Sequence, residues 1–326
     1  MSAGNPDMQT TSIASPRRRA TPPATAGADD RTPLAQSLGR RVEALAGHLQ
    51  AALGGDERAI HQARVATRRL REIVPIVSDT QSGRGERLRR RLKRLTAALG
   101  PVRELDVALM LVNDRAKETP SPAIVALRAH LTERRRVALE HLREACDSGR
   151  ARRLLSRLAD LVRDRDLASR RGHGGLPSRE RRRLARGVID RARDLGIAVA
   201  DAGAILIIDR VHAVRIAAKR LRYALELTGE LRLVRTASLV SSLRAMQDVL
   251  GELHDLDVLR TEAGRVRSDV PPDSIVARNL EELTDDVDAD IRLLHARYLS
   301  GARALAALTD RVRDRIAPCL DPSIST

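Results

Sequence analysis

Residues His61–Arg71 read HQARVATRRLR, and residues His212–Arg222 read HAVRIAAKRLR. Both follow one pattern, H-x-x-R-x-x-x-(K/R)-R-L-R. A helix turns by about 100° per residue, so His61, Arg64, Arg68 and Arg71 fall within an arc of roughly 80°, as do His212, Arg215, Lys219 and Arg222. Ala66, Leu70, Ile73 and Val77 lie on the opposite side of the first helix, and Ala217, Leu221 and Ala224 on the opposite side of the second. Each helix is expected to seal a core with one face and to present a basic stripe to water or to an anion with the other.

The two stretches are offset by 151 residues, and the same offset aligns LGPVRELDV, from Leu99, with LGELHDLDV, from Leu250. The pairs Leu99/Leu250, Gly100/Gly251, Leu105/Leu256, Asp106/Asp257 and Val107/Val258 are identical. Two separate blocks at one offset point to an internal duplication of roughly 140–150 residues.

Helical periodicity continues outward from these blocks. Leu38, Val42, Leu45, Leu49 and Leu53 predict a helix that ends at Gly54-Gly55, with Asp56 as N-cap of the next. Gly100-Pro101, Gly251 and the region around residue 300 read as breaks, and Pro75 as a kink or early stop. No segment shows sustained strand alternation. The expected fold is all-α with about ten helices, internally duplicated, as two four-helix-bundle-like halves related by a pseudo-twofold axis. The expected boundaries are a disordered basic arm at 1–31, a first repeat at 32–170, a linker at 171–177, a second repeat at 178–318 and a tail at 319–326.

Charge narrows the function. The 326 residues hold 59 Lys and Arg against 43 Asp and Glu, a formal charge of +16. That balance implies polyanionic partners. Tyr223 and Tyr298 are the only aromatic residues other than histidine, which disfavours recognition of single strands by base stacking. Cys146 and Cys319 are too few for a disulfide framework and fit a reducing compartment. No secretory signal is read, and the longest aliphatic run, Ala204–Ile208, is far too short to span a bilayer. A cytoplasmic protein is expected.

No Glu or Asp interrupts either basic block, so the stripes lack the usual i,i+4 partners. Successive members stand about 4.5–6 Å apart along the helix, which suits neighbouring phosphates of a chain. Arginine grips two oxygens at once and lysine supplies a point charge. The histidines, neutral donors at pH 7 and cations below about 6.5, should make binding tighten as pH falls.

Other features read as structural. His254-Asp255 invites a metal site, but Arg103 and Glu104 hold the corresponding places, so capping and polar packing are favoured. Asp286, Asp288 and Asp290 open like a calcium loop, but Ile291 and Arg297 stand where glycine and glutamate are needed. Asp106 and Asp257 read as caps or as ion pairs to a neighbouring helix. His141 and His295 extend the site or serve the core. No nucleotide-binding loop, nucleophile elbow or zinc spacing occurs. The sequence implies no enzyme activity, cofactor or metal.

The doubled basic helix, each copy followed by L-G-x-x-(R/H)-(E/D)-L-D, resembles the CHAD family (conserved histidine α-helical domain) over about residues 32–318. The resemblance implies two bundle-like halves around a basic central surface or pore. It further implies non-catalytic binding of inorganic polyphosphate and, in some members, association with polyphosphate or polyhydroxyalkanoate granules. It assigns binding to His61, Arg64, Arg68, Arg69, Arg71, His212, Arg215, Lys219, Arg220 and Arg222, with Lys93 and Arg244 ahead of the L-G turns. Nucleic-acid binding on the same surface is the alternative reading, and a metal-dependent phosphohydrolase built on His254-Asp255 a more distant one. The E-x-E-x-K motif of the tunnel hydrolases fused to some members is absent.

Overall fold

The computed structural model describes residues 32–78, 83–170 and 176–320. The expected arm at 1–31, most of the linker at 171–177 and the tail beyond 320 lie outside the described residues. Nine α-helices account for almost all of them: α1 (Pro33–Gly54), α2 (Glu57–Val77), α3 (Arg84–Glu118), α4 (Pro122–Ala145), α5 (Ser148–Arg170), α6 (Ser178–Ala202), α7 (Ile208–Glu230), α8 (Ala237–Asp269) and α9 (Ile275–Ile316). A single 3-10 turn, Ala317–Leu320, follows. No strand occurs among the described residues.

Local chemistry sets several boundaries. Gly55 ends α1 at φ 99°, a left-handed conformation that a side chain would strain. The Asp56 carboxylate then accepts from the backbone N–H of Ala59 at 2.6 Å and starts α2. Ser121 and Ser274 cap α4 and α9 in the same way.

Where breaks were expected, tertiary packing prevails. Helix α3 runs unbroken through Gly100-Pro101, α8 through Gly251 and α9 through Gly301, so nine helices replace the expected ten. Pro75 likewise stays within α2. A mid-helix proline removes one hydrogen bond, whereas Leu99, Val102 and Leu105 around Pro101 are all buried. Each such side chain contributes about 1.5–3 kcal/mol on burial, enough to hold the helix together.

Adjacent helices pack in sequence: α1 on α2, α2 on α3, α3 on α4, with α5 closing against α1. In the later part α6 packs on α7, α7 on α8, α8 on α9, and α9 returns to α6. The two groups meet through α2 with α7, α3 with α8 and α4 with α9. One contiguous apolar core runs from Leu34 to Ile316. Buried ions reinforce the join. Glu262 on α8 accepts from His130 Nε2 on α4 at 2.9 Å and from Arg134 at 3.4 Å.

Asp106 takes the structural role expected of it. Its buried carboxylate accepts from Arg135 Nε on α4 at 2.6 Å, while Arg135 Nη2 donates to the Gly55 carbonyl at 2.9 Å. Burial pushes the Asp106 carboxyl above the usual range, against the pull of Arg135. An acid with a raised folded pKa weakens the fold when ionised, most at high pH and less as pH falls through the folded pKa. Arg135→Ala removes the opposing attraction and should lower stability by about 2–4 kcal/mol at pH 7. The loss should be smaller at pH 5. Urea midpoints at the two pH values check this, and an equal loss at both would indicate lost packing alone.

Candidate anion-binding cleft

Helices α2 and α7 bring their basic faces to one cleft of about 430 Å³. From α2 come His61, Arg64, Arg68 and Arg69; from α7 come Arg215, Lys219, Arg222 and Tyr223. Helix α3 adds Arg103 and Glu104, and α8 adds Gly251 and Asp255. Six arginines and a lysine thus face two carboxylates.

Those carboxylates correct the expectation of unpartnered stripes. Arg64 Nη2 donates to Glu104 at 3.3 Å, and Arg215 stands 3.8 Å from Asp255. The 151-residue offset relates the two pairs residue for residue. These partners come from α3 and α8, out of reach of spacing along one helix, and Arg222 also pairs at 3.6 Å with Glu226 one turn further along α7. The signal of Glu104 and Asp255 was present in the (E/D) position of the repeated L-G-x-x-(R/H)-(E/D)-L-D block. His254-Asp255 lies mid-helix, so it packs and pairs but caps nothing.

Packing does not force glycine at either of the shared positions. A Cβ on Gly100 would lie 3.7 Å from Arg64 Nη2, an ordinary van der Waals contact. Gly251 lines the cleft itself, with no atom within 4 Å of an added Cβ.

Burial and like charge dominate the electrostatics. Arg215 is buried, and its Nε and those of Arg64 and Arg222 have no hydrogen-bond partner. Desolvation, with neighbouring Arg68, brings Arg64 down to about 10, and desolvation lowers Arg215 too. Lys219 falls furthest, to about 6, through burial and then the charges of Arg215, Arg68 and Arg64. His61 and His212 are held below their ordinary value by burial and adjacent arginines, and His254 drops to about 3. The histidines are therefore neutral at pH 7, and the group poised near neutrality is Lys219.

Of the expected site residues, His61, Arg64, Arg68, Arg69, Arg215, Lys219 and Arg222 line the cleft, and five do not. His212 turns to His254, their Nδ1 atoms 3.2 Å apart. Arg71 sits beyond the cleft, half-buried, where the charges of Arg220 and Arg89 act on it. Arg220 and Lys93 are exposed. Arg244 pairs with Glu226 at 3.3 Å, a carboxylate that also receives Arg69 at 3.3 Å and Arg222 at 3.6 Å. Glu226 was not foreseen, and it ties α2, α7 and α8 at the cleft's edge.

The remaining candidates serve the scaffold. His295 is buried with Tyr298, their ring centroids 6.0 Å apart, and His141 is exposed away from the cleft. Asp257 pairs with Arg260 at 2.7 Å, Asp288 with Arg260 at 3.1 Å and Asp290 with Arg115 at 3.2 Å. Cys146 is buried and Cys319 partly exposed, both free. Among the described residues no group of His, Cys, Asp or Glu could hold a metal ion, and no helix is long and apolar enough to cross a membrane.

An all-α fold with one deep basic cleft between two helices of matching sequence defines the class. The CHAD domain family matches residues 36–264, and the chain belongs to that family. The crystal structure of the CHAD domain from the plant Ricinus communis is similar, with a TM-score of 0.54 and 24% identity over 87% of this chain and 90% of that one. PptA from Streptomyces chartreusis is similar with a TM-score of 0.58 and 18% identity, over 84% and 99% of the two chains. At these identities the likeness concerns the fold. No curated protein matches the sequence.

Proposed function

We propose that this protein is a non-catalytic binding module for inorganic polyphosphate, held in the cleft between α2 and α7. The observation that carries the reading is the convergence of six arginines and Lys219 on one cleft, where the buried Nε atoms of Arg64, Arg215 and Arg222 lack partners even though Glu104, Asp255, Glu226 and Glu57 each pair with an arginine there. A chain of phosphates would complete those hydrogen bonds and relieve the repulsion among the cations. We read the matched blocks, and the pairing of α2 with α7 and α3 with α8, as the product of an internal duplication that brings both basic helices to one site.

The alternative, nucleic acid, draws less support. Tyr298 and Tyr223 are both buried, the Tyr223 ring covered by the Arg222 guanidinium 4.9 Å from the centroid. Neither offers a face for stacked bases. A cleft of about 430 Å³ admits an unbranched phosphate chain, whereas a duplex would meet only its rim. A phosphohydrolase gains nothing from His254 and Asp255, which are engaged by His212 and Arg215. Granule association would follow from polyphosphate binding and is tested by localisation in cells.

Competition of long-chain polyphosphate against duplex and single-stranded DNA tests the reading. Polyphosphate should win by a wide margin at physiological salt, and its log affinity should fall with log salt at a slope of about −4. Equal binding of all three polymers would indicate a diffuse basic surface. A steric test leaves charge untouched. Gly251→Leu fills the cleft from α8, where an added Cβ meets nothing, and favours the helix by a few tenths of a kcal/mol or more. Polyphosphate affinity should drop at least about tenfold while the unfolding midpoint holds or rises, because about 1.4 kcal/mol of lost contact suffices for that factor. Unchanged affinity would place the polymer elsewhere.

A further inference from the structure

The chain holds three lysines against 56 arginines. Lys93 and Lys117 are exposed, and Lys117 pairs with Asp114 at 2.8 Å. Lys219 alone lies in the cleft, where the corresponding position of the first basic block is Arg68. Arginine stays a cation in any protein environment, whereas a buried lysine can present a lone pair. A lysine at this point therefore adds a chemistry that arginine would not.

Its surroundings favour the neutral amine. No carboxylate lies within ion-pair distance of Lys219 among the described residues. Arg64 and Arg68 face it from α2 and Arg215 from its own helix, while Asp255 on α8 exerts a smaller opposing pull. His61 and His254 feel its charge in turn, and Glu104 on α3 is engaged by Arg64. A nucleophile ringed by guanidinium groups selects electrophiles that carry a phosphate.

We infer that Lys219 is a site of covalent acylation by acyl phosphates, which the cleft arginines collect and orient. The Nζ lone pair attacks the acyl carbon and a C–N bond forms. The C–O bond to phosphate breaks, its electron pair leaving with inorganic phosphate under Arg64 and Arg215. The surplus amine proton passes to the departing phosphate or to water, leaving a neutral amide. That amide can no longer take up a proton beside a bound phosphate, and it occupies part of the cleft, so acylation would weaken phosphate-chain binding. This last consequence rests on the proposed function; the acylation does not.

The test uses the full chain, acetyl phosphate as reagent, and peptide mass spectrometry of all three lysines within one molecule. At pH 7.5 the neutral fraction of Lys219 exceeds that of an ordinary lysine by about a thousandfold, and its weaker basicity offsets part of this, so a preference of about tenfold over Lys93 and Lys117 is expected. Millimolar inorganic phosphate should slow Lys219 and spare the other two. A neutral acetyl donor, acetic anhydride, should show a smaller preference, because only the phosphate is recruited. Equal labelling of the three lysines would overturn the inference, as would the same preference with both reagents. Protection of Lys219 by long-chain polyphosphate is the separate arm. Its failure beside intact acylation would count against the proposed function and leave this inference standing.

Discussion

Arg64→Ala with Arg215→Ala should reduce polyphosphate affinity by a hundredfold or more. Each guanidinium is deep in the cleft, and truncating a buried charge partner typically costs about 2–5 kcal/mol. The double change also frees Glu104 and Asp255, whose charges then repel the polymer. Binding titrations on variants with native helical content check this. Replacing two of Arg17–Arg19 removes the same formal charge and should change affinity only a few-fold, as expected of diffuse attraction. The opposite change, Glu104→Gln with Asp255→Asn, should tighten binding. Equal effects of the cleft and arm variants would reduce the site to net charge.

The second large effect is on pH dependence. Lys219 is pushed down to about 6 in the ligand-free chain. Bound phosphates would stabilise its ammonium form and raise that value, so between the two pKa values the complex holds one proton more than the free chain. Affinity should then fall as pH rises from 6 to 8, by up to about tenfold per unit. Below 6 the Lys219 contribution flattens because the group is already charged, and His61, the histidine that lines the cleft, adds its own as it protonates. Calorimetry in two buffers of different ionisation enthalpy at pH 7.5 should register uptake of about one proton on binding. Lys219→Arg should bind without that uptake. A wild-type chain that takes up no proton would sink the assignment.

The histidines show how far a sequence reading reaches. His61 and His212 begin the two basic blocks, and an ordinary imidazole titrates where binding was expected to respond to pH. In the fold, burial and flanking arginines lower both, and His212 faces His254 instead of the cleft. Sequence spacing placed Arg64, Arg68, Arg215 and Lys219 on faces that do meet. It could not separate Arg222, which lines the cleft, from Arg71 at the corresponding place of the other block, which does not. Nor could it show that Glu104 and Asp255, four residues after each repeated glycine, are the counter-charges of the site.

Helical periodicity and the cap at Asp56 were legible because they depend on neighbours within a turn or two of chain. The two basic blocks and their constant offset belong to the same kind of information. Helix continuity through Gly100-Pro101, Gly251 and Gly301 was decided by tertiary structure, since the side chains that hold those helices together are buried against other helices. The acidity of Lys219 and the exclusion of His212 were decided there too. Both depend on which charges and how much water surround a group in space, and residues far apart in the chain supply them.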